Sequence, residues 1–400
     1  MRISTGQMFQ QSTNSILEKQ SATNSIMEQI SSGKRVETAG DDPVAAIAID
    51  NLKQKNTLVD QYEKNIDYAT NRLGLAESKI GSAESLISSM REQLVRGANG
   101  SLSSVERQMV ADEMRASLDE LLSIANSKDE SGNYIFSGNK TNSLPFAFNS
   151  SDEIVYSGDS GIRRSVVASG IAMQTNVAGD TAFMNAVNPL GDYGVNYLSS
   201  QQGDFTVSSA KITNQALHTS DIYTFNFIDN GSGVDLQVQN SSGATISTVS
   251  NFDATNAVTF NGIEVQLTGT PSGGDSFTLE PLENVSIFDS FSKALALLES
   301  PDSTNSAQGK SQLAQLLNEI DSGQNQVSTA RGIAGNNLKG LENIASNHSE
   351  EKIINSSALS MLEDLDYAEA ITEFEKQQLA LNAVSSVFSK VGSLSLFDYI

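Results

Sequence analysis

The feature that most constrains this chain is an unbroken series of apolar side chains spaced seven residues apart. Such spacing is typical of a helix that packs along another helix. Asp42 and Pro43 suit the N-cap and the first turn of that helix, and the next proline is Pro145. At 1.5 Å per residue the predicted helix is roughly 75–80 Å long, much longer than an ordinary globular helix. The series comprises Leu52, Val59, Ile66, Leu73, Ile80, Ile87 and Leu94.

A second seven-residue series follows Pro301, after which no proline occurs. Its spacing predicts a second long helix, and we expect the two to pair antiparallel as a rod with both series in its core. A shorter helix over about Ser103–Ser127 and an amphipathic stretch that begins near Val285 are predicted to accompany them. The second series comprises Leu313, Ile320, Val327, Ala334 and Leu341.

Both ends of the chain carry thinner versions of the same pattern. Near the N-terminus, polar side chains fill most positions between the apolar ones, so that helix would be marginal in isolation. The C-terminal series is fuller. The N-terminal seam comprises Phe9, Ile16, Thr23 and Ile30, with Ser12, Lys19 and Ile26 beside it. The C-terminal seam comprises Tyr367, Phe374, Leu381 and Phe388, with Ala370, Gln377, Val384 and Val391 beside it.

The middle of the chain has the signals of β-structure. Short apolar runs alternate with Gly, Ser, Asn and Asp, and Asn261-Gly262 and Asp229-Asn230-Gly231 indicate hairpins. Before this block, short strands are predicted over Asn133–Gly138, Ile154–Tyr156 and Arg163–Val167. Within it, strands are predicted over Phe205–Val207, Tyr223–Ile228, Val234–Val238, Ile246–Val249, Ala257–Phe260, Ile263–Leu267 and Phe277–Leu279.

Together these patterns predict a mainly α protein with a β insert. We expect a long antiparallel helical-bundle rod with coiled-coil-like terminal helices, short β-hairpins and an inserted all-β domain. The predicted domains are a terminal assembly domain of residues 1–41 and 366–400, a rod domain of residues 42–175 and 284–365, and a β domain of residues 176–283.

Composition excludes several classes of function. The net charge is −23, whereas non-specific binding to nucleic acid or to anionic membranes needs a basic face. There is no cysteine, so the chain has no disulfide, thiol nucleophile or cysteine-based metal site. Neither a cleavable signal peptide nor a membrane-spanning run is evident. We therefore predict no nucleic-acid and no membrane partner.

No motif predicts an active site. Gly158–Gly161 (GDSG) matches part of a serine-protease loop, but the chain has only two histidines, and a hairpin turn explains it better. Asp229–Asp235 has calcium-loop residue types but lacks the closing glutamate, since position 240 is Asn240. We predict no catalytic, cofactor-binding or metal-binding residue. One alternative stays open, because the insert has enough carboxylates and aromatic residues for a carbohydrate-binding or hydrolytic module.

Several segments resemble a known family. Ile30–Ile49 (ISSGKRVETAGDDPVAAIAI) is similar to the N-terminal signature of bacterial flagellins and flagellar hook-associated proteins. Asp364–Ile400 is similar to their C-terminal signature. Asn133–Gly138 (NYIFSG), Tyr156–Asp159 and the ending Ser395–Ile400 resemble the type 3 subfamily of hook-associated proteins. The resemblance covers about residues 1–175 and 285–400.

The resemblance implies a structural role in the bacterial flagellum, at the junction between the hook side and the flagellin filament. It implies no enzymatic activity and terminal helices that order on assembly around a central channel. It also implies export by the type III apparatus without a cleaved signal peptide, to an extracellular location. The implied partners are hook-associated protein type 1, flagellin, like subunits in a ring, and an export chaperone at the C-terminal helix. A flagellin filament subunit is the alternative within the same superfamily.

The wide C-terminal seam agrees with this implied assembly. Two thin terminal helices cannot bury all of their apolar side chains against each other, so we expect the seam to face other subunits rather than the chain's own core. The predicted interface residues are Phe9, Ile16, Ile26, Ile30, Tyr367, Ala370, Phe374, Leu381, Val384, Phe388, Val391, Leu396 and Phe397.

Overall fold

The computed structural model describes residues 5–300 and 303–393. The chain divides into two compact units, one of residues 1–64 and 343–400 and one of residues 65–342. This division differs from the three domains expected above, whose boundaries stay a prediction. The helices are α1 (Thr5–Ser32), α2 (Pro43–Gly97), α3 (Ser104–Ala125), α4 (Ile287–Glu299), α5 (Ala307–Glu363) and α6 (Tyr367–Ser393).

Helix α2 has about the length predicted for it, whereas α5 continues well beyond Leu341, the last member of its series. Helix α2 has 55 residues and α5 has 57. Helix α2 begins at Pro43, and Oδ1 of Asp42 accepts hydrogen bonds from the backbone N–H groups of Val44 (3.2 Å) and Ala45 (3.0 Å). An N-cap carboxylate of this kind satisfies donors that the first turn leaves unpaired.

In the second unit, α2 and α5 lie antiparallel and bury most of their apolar series. Of the predicted rod-core residues, Leu313 is half-buried there. Polar contacts beside the seam fix its register: Arg91 forms two hydrogen bonds with Asp321 (2.5 and 3.1 Å), and Arg331 binds Glu77 (2.7 Å). The fully buried members are Ile66, Leu73, Ile80, Ile87, Leu94, Ile320, Val327 and Leu341.

The two remaining rod-core residues belong to the first unit. There Val59 is buried, whereas Leu52 is half-buried. Next to them Nζ of Lys352 lies 2.5 Å from Asp60 and 3.1 Å from Glu63. The same two helices therefore pair antiparallel in this unit as well, with ion pairs along the seam.

The strands form several small antiparallel sheets within the second unit. Their bounds are β1 (Phe146–Phe148), β2 (Ile154–Tyr156), β3 (Arg164–Ala168), β4 (Ile171–Gln174), β5 (Ala186–Val187), β6 (Tyr193–Tyr197), β7 (Asp204–Ile212), β8 (Tyr223–Asp229), β9 (Val234–Gln239), β10 (Thr245–Val249), β11 (Val258–Phe260), β12 (Ile263–Thr270), β13 (Ser276–Pro281) and β14 (Asn284–Val285). A short π-helical turn, Asp180–Met184, precedes β5.

Two of these sheets enclose an aromatic core. One has five strands in the order β10-β9-β8-β13-β6, and the other has three in the order β11-β12-β7. Phe225 and Phe277 stack with ring centroids 4.5 Å apart, and both are fully buried. All seven strands predicted within the insert are observed, and left-handed Asn261-Gly262 joins β11 to β12. The remaining sheets are the two-stranded pairs β1-β2, β3-β4 and β14-β5.

Two local predictions are wrong. Asn133–Gly138 is not a strand, because its backbone bonds to turns: Tyr134 N donates to Thr141 O, and Ile135 N donates to Ser127 O. Gly158–Gly161 is not a hairpin turn, because β2 pairs with β1 and β3 pairs with β4, so the segment joins two separate hairpins. The structure also contains five strands that the sequence did not predict, β1, β4, β5, β6 and β14; each has five residues or fewer, and so short a run carries little periodic signal.

Candidate assembly surface

Residues 33–42, called the signature loop below, bind the turn between α5 and α6. Lys34 and Asp364 form an isolated antiparallel bridge. Arg35 N donates to Glu363 O (2.7 Å), and Leu365 N donates to Gly33 O (3.0 Å). The signature loop and the α5–α6 turn thus join as two short extended segments, although more than 300 residues separate them along the chain.

Glu363 is the charged centre of this contact. Its side chain is only 8% exposed, and its Oε1 lies 2.7 Å from Nζ of Lys34 and 3.1 Å from Nζ of Lys53. The hydrogen bond from Lys34, followed by that from Lys53, holds the pKa of Glu363 below its usual value. Two amines on one carboxylate compensate its burial, which an unpaired charge could not tolerate.

A close approach at Gly33 fixes where α6 begins. Gly33 has φ of +71°, and a Cβ atom there would lie 2.9 Å from Oη of Tyr367. The position therefore needs glycine for its backbone conformation and for space. On the other side of the loop, Val36, Ala45 and Ile49 form a small buried cluster. Leu359 and Leu362 of α5 pack against this cluster, so the signature loop contacts both the end of α5 and the start of α6.

The two terminal helices pair antiparallel along their seven-residue seams. At one end the rings of Phe9 and Phe388 lie 4.6 Å apart, and at the other Tyr367 contacts Gly33 just beyond α1. Because both series repeat every seven residues, the Phe9–Phe388 contact also brings Ile16 opposite Leu381. The sequence series on α1 and α6 are therefore complementary layers of one helix pair.

This pairing covers part of the predicted interface seam within the chain, and the seam's role as a subunit interface stays a prediction. Ala370 is buried within the chain, while Phe9 and Tyr367 remain about half exposed. The partner helix covers part of each side chain because the two series are in register. The half-buried seam residues are Ile16, Ile26, Ile30, Phe374, Leu381, Val384 and Phe388. The predicted interface residues Leu396 and Phe397 lie outside the described residues, as does the side chain of Val391.

Other apolar side chains on α1 and α6 point away from the seam. With 3.6 residues per turn, Ile371 and Val387 project to opposite flanks of the α6 seam, and Leu379 projects from its back. Leu379 is 73% exposed. A helix that carries apolar side chains on every side is typically surrounded by protein. We call these exposed residues the outer apolar set: Met8, Leu17, Met27, Ile371, Leu379 and Val387.

The β sheets offer little for the carbohydrate-binding alternative. Eight aromatic residues of the insert are buried in the core between the sheets, so their faces are not available for stacking: Tyr193, Tyr197, Phe205, Tyr223, Phe225, Phe227, Phe260 and Phe277. Phe252 instead lines an open groove of about 530 Å³, next to Val234 and Pro271.

Within residues 5–300 and 303–393, no cluster of His, Asp and Glu has the makeup of a metal site. Across the same residues, no helix is long and apolar enough to span a membrane.

Comparisons with known proteins agree with this arrangement. The family model of the bacterial flagellin N-terminal helical region matches residues 3–141. Flagellar hook-associated protein 3 of Salmonella typhimurium is 26% identical, with 100% of this chain and 99% of the relative aligned. The crystal structure of hook-associated protein 3 from Legionella pneumophila is 29% identical with a TM-score of 0.68, covering 78% of this chain and 98% of that one.

The chain is similar to flagellar hook-associated protein 3 over its full length. A second solved relative, the flagellar junction protein FlgL from Legionella pneumophila, is 29% identical with a TM-score of 0.66 and covers 79% of this chain and 99% of that one. The resemblance inferred from the sequence motifs to type 3 hook-associated proteins, within the flagellin superfamily, is thereby confirmed. So is the predicted fold class, with its terminal helices and central β insert.

Sequence reasoning missed Glu363 and Lys53 as members of this site. Each looks like an ordinary charged helix residue, and their contact joins positions 310 residues apart. The glycine in the signature loop and the acidic N-cap at Asp42 were the sequence signals available. They indicate a loop at this position but not that it binds the turn between α5 and α6.

Acid should weaken the contact between the signature loop and the α5–α6 turn. The pKa of Glu363 is lowered in the folded chain, so its stabilisation is present above its unfolded pKa of about 4.3 and is lost as pH falls through the folded value. Glu363→Gln should lower the free energy of unfolding at pH 7 by about 1 kcal/mol, a modest figure because solvent screens both lysines. Urea unfolding followed by circular dichroism should show the difference from wild type shrinking between pH 5 and pH 3. A difference that does not change with pH would contradict this role.

Proposed function

We propose that this structural protein of the flagellum is a junction protein that joins the hook side to the flagellin filament. The observation that carries the proposal is the outer apolar set, which leaves both terminal helices with apolar side chains that their own seam cannot cover. The name of the solved Legionella relative, a flagellar junction protein, supports the same role. Under this proposal the protein is extracellular, is exported without a cleaved signal peptide and has no enzymatic activity.

The helix pair needs neighbours to cover its exposed apolar side chains, and the resemblance to hook-associated proteins indicates which neighbours these are. Exposed apolar side chains lie on the flanks and at the back of α6, so neighbours on several sides are needed to cover them. Like subunits in a ring supply lateral neighbours. Hook-associated protein type 1 and flagellin would then supply those above and below. The half-exposed ends of the seam, Phe9 and Tyr367, would contribute to the same contacts.

The acidic surface fits an assembly that needs several contacts at once. The chain carries 48 Asp and Glu residues against 25 Lys and Arg residues. Repulsion between acidic chains disfavours non-specific association, whereas several apolar contacts made together around a ring can outweigh that repulsion. This balance favours assembly at the end of a growing structure over aggregation in solution.

A filament subunit is the second candidate, and the match of residues 3–141 to the flagellin N-terminal region favours it. That match is a property of the whole superfamily, so it does not separate the two functions. Deletion of the chain distinguishes the two functions. If the chain is a junction protein, the cell still makes flagellin but cannot attach it to the hook. If the chain is a filament subunit, the filament protein itself is lost.

The substitution Leu379→Glu should prevent attachment of the filament without unfolding the chain. Leu379 projects from the back of α6 away from the seam, so a carboxylate there is solvated in the monomer but would be buried in the assembly. In a strain whose own copy has been removed, this variant should give bare hooks in electron micrographs and flagellin in the medium. Gln378→Glu is the matched control, since it adds the same charge at an exposed neighbouring position.

Normal attached filaments with Leu379→Glu would count against the junction proposal. Loss of filament protein from both the cells and the medium would support the filament-subunit candidate instead. Circular dichroism of the purified variant checks that its helix content equals that of the wild type.

Before assembly, the C-terminal helix is the proposed binding site for an export chaperone. Its exposed apolar side chains on several faces are the kind of surface that a helix-binding groove covers, and they include the 73% exposed Leu379. Removal of residues 366–400 should therefore abolish chaperone binding in isothermal titration calorimetry, while removal of residues 1–30 should leave most of it. Unchanged affinity after the C-terminal truncation would refute the assignment.

A further inference from the structure

The connection between α2 and α3 contains Asn99-Gly100, one of three asparagine–glycine pairs in the chain. Both residues are exposed and lie outside every helix and strand. Oδ1 of Asn99 accepts two hydrogen bonds from Ser101, one from its backbone N–H (3.2 Å) and one from its Oγ (2.9 Å). The N–H of Gly100 has no acceptor among the residues that the structure describes. A polarised side-chain amide therefore lies next to a backbone nitrogen that no hydrogen bond engages.

The packing at position 100 favours glycine. A Cβ atom there would overlap with Oδ1 of Asn305, so a larger residue would have to displace that side chain. Glycine also leaves its own nitrogen open to approach, because it has no side chain beside it. An asparagine followed by glycine is the dipeptide in which the backbone nitrogen reaches the side-chain amide with the least steric hindrance.

The second pair, Asn230-Gly231, is also exposed but is held differently. The N–H of Gly231 donates to Oδ1 of Asp229 (2.8 Å). The side-chain nitrogen of Asn230 donates to Oδ1 of Asp235 (2.7 Å) and to Oδ1 of Asn251 (3.0 Å). Attack by the Gly231 nitrogen on the Asn230 side chain would therefore have to break hydrogen bonds at both reacting groups.

The third pair, Asn261-Gly262, is fixed in the hairpin turn between β11 and β12. Asn261 has a left-handed φ of +42°, and both residues are half-buried. The carbonyl oxygen of Gly262 accepts the backbone N–H groups of Thr213 (2.8 Å) and Asn214 (3.0 Å). The turn must open before its backbone nitrogen can move towards the asparagine side chain.

We propose that Asn99 is a site of spontaneous deamidation, which Ser101 accelerates. Hydroxide removes the proton of the Gly100 amide, and the nitrogen attacks Cγ of Asn99. Negative charge then develops on Oδ1, where the two Ser101 donors stabilise it as the donors of an oxyanion hole do. The new C–N bond closes a succinimide ring, the bond from Cγ to the side-chain nitrogen breaks, and that nitrogen leaves as ammonia with a proton from water. Water then hydrolyses the ring to aspartate or isoaspartate.

The reaction changes the connection between the two helices. Either product adds a negative charge at position 99, and isoaspartate also adds a methylene group to the backbone. The longer backbone would shift Gly100 against Asn305 and alter the link to Ser103, whose capping box with Glu106 begins α3. The charge and the path of this connection therefore change with the age of the chain. The inference does not depend on the flagellar role proposed above.

Peptide mapping by mass spectrometry measures the reaction at all three asparagines in one sample of the purified chain, incubated in mildly alkaline buffer. Asn99 should react roughly five- to tenfold faster than Asn230 or Asn261, because the other two must first break hydrogen bonds or open a turn. In urea, which unfolds the chain, the three rates should converge. Equal rates in the folded chain would overturn the proposal. So would a preference for Asn99 that persists undiminished in urea, since the neighbouring sequence would then set the rate.

Substitution at position 101 tests the role of the hydroxyl. Ser101→Ala should slow the reaction at Asn99 roughly three- to tenfold, which is the effect of losing one hydrogen bond to the developing charge. Ser101→Thr keeps the hydroxyl and should restore most of the rate. Ser104→Ala is the matched control, since it removes an exposed hydroxyl that does not bind Asn99. An unchanged rate in Ser101→Ala, or an equal loss in Ser104→Ala, would refute the role of Ser101.

Discussion

The arrangement of the two chain termini depends on one interaction: helices α1 and α6, from opposite ends of the chain, pair in register. The seams of α1 and α6 repeat every seven residues, and they pair layer by layer once Phe9 meets Phe388. Glu363, with its two lysines, holds the start of α6 against the signature loop, and glycine at position 33 makes room for Tyr367. A shift of either helix by a few residues would mismatch the layers and separate these polar contacts.

The pairing of α1 with α6 determines which apolar side chains stay exposed and available for contact with other proteins. The seam uses the apolar residues that face each other, so what is left lies on the flanks and backs of the two helices. Leu379 is the clearest example, with its side chain directed away from α1. The terminal helices thus combine an internal seam, which gives the chain a defined end, with an outer apolar set that needs neighbours. This combination is what the proposed junction role requires.

The seven-residue series predicted the helices well because a long periodic pattern averages over many residues. The series predicted most of the buried core of both long helices, and Asp42 with Pro43 predicted the start of α2. The short apolar runs were a weaker guide, as at Asn133–Gly138, whose apolar side chains are buried in turns rather than in a strand. The sequence patterns also could not reveal Glu363, because its contacts depend on where distant segments meet.

Maleimide labelling of single-cysteine variants tests the central claim most directly, since the natural chain has no cysteine. Leu379→Cys, in the outer apolar set, should label rapidly in the monomer and much more slowly in assembled flagella. Leu381→Cys, in the seam, should label slowly in both states because α1 covers it. Rapid labelling of Leu381→Cys in the monomer, or equally rapid labelling of Leu379→Cys in both states, would contradict the division between an internal seam and an outer assembly surface.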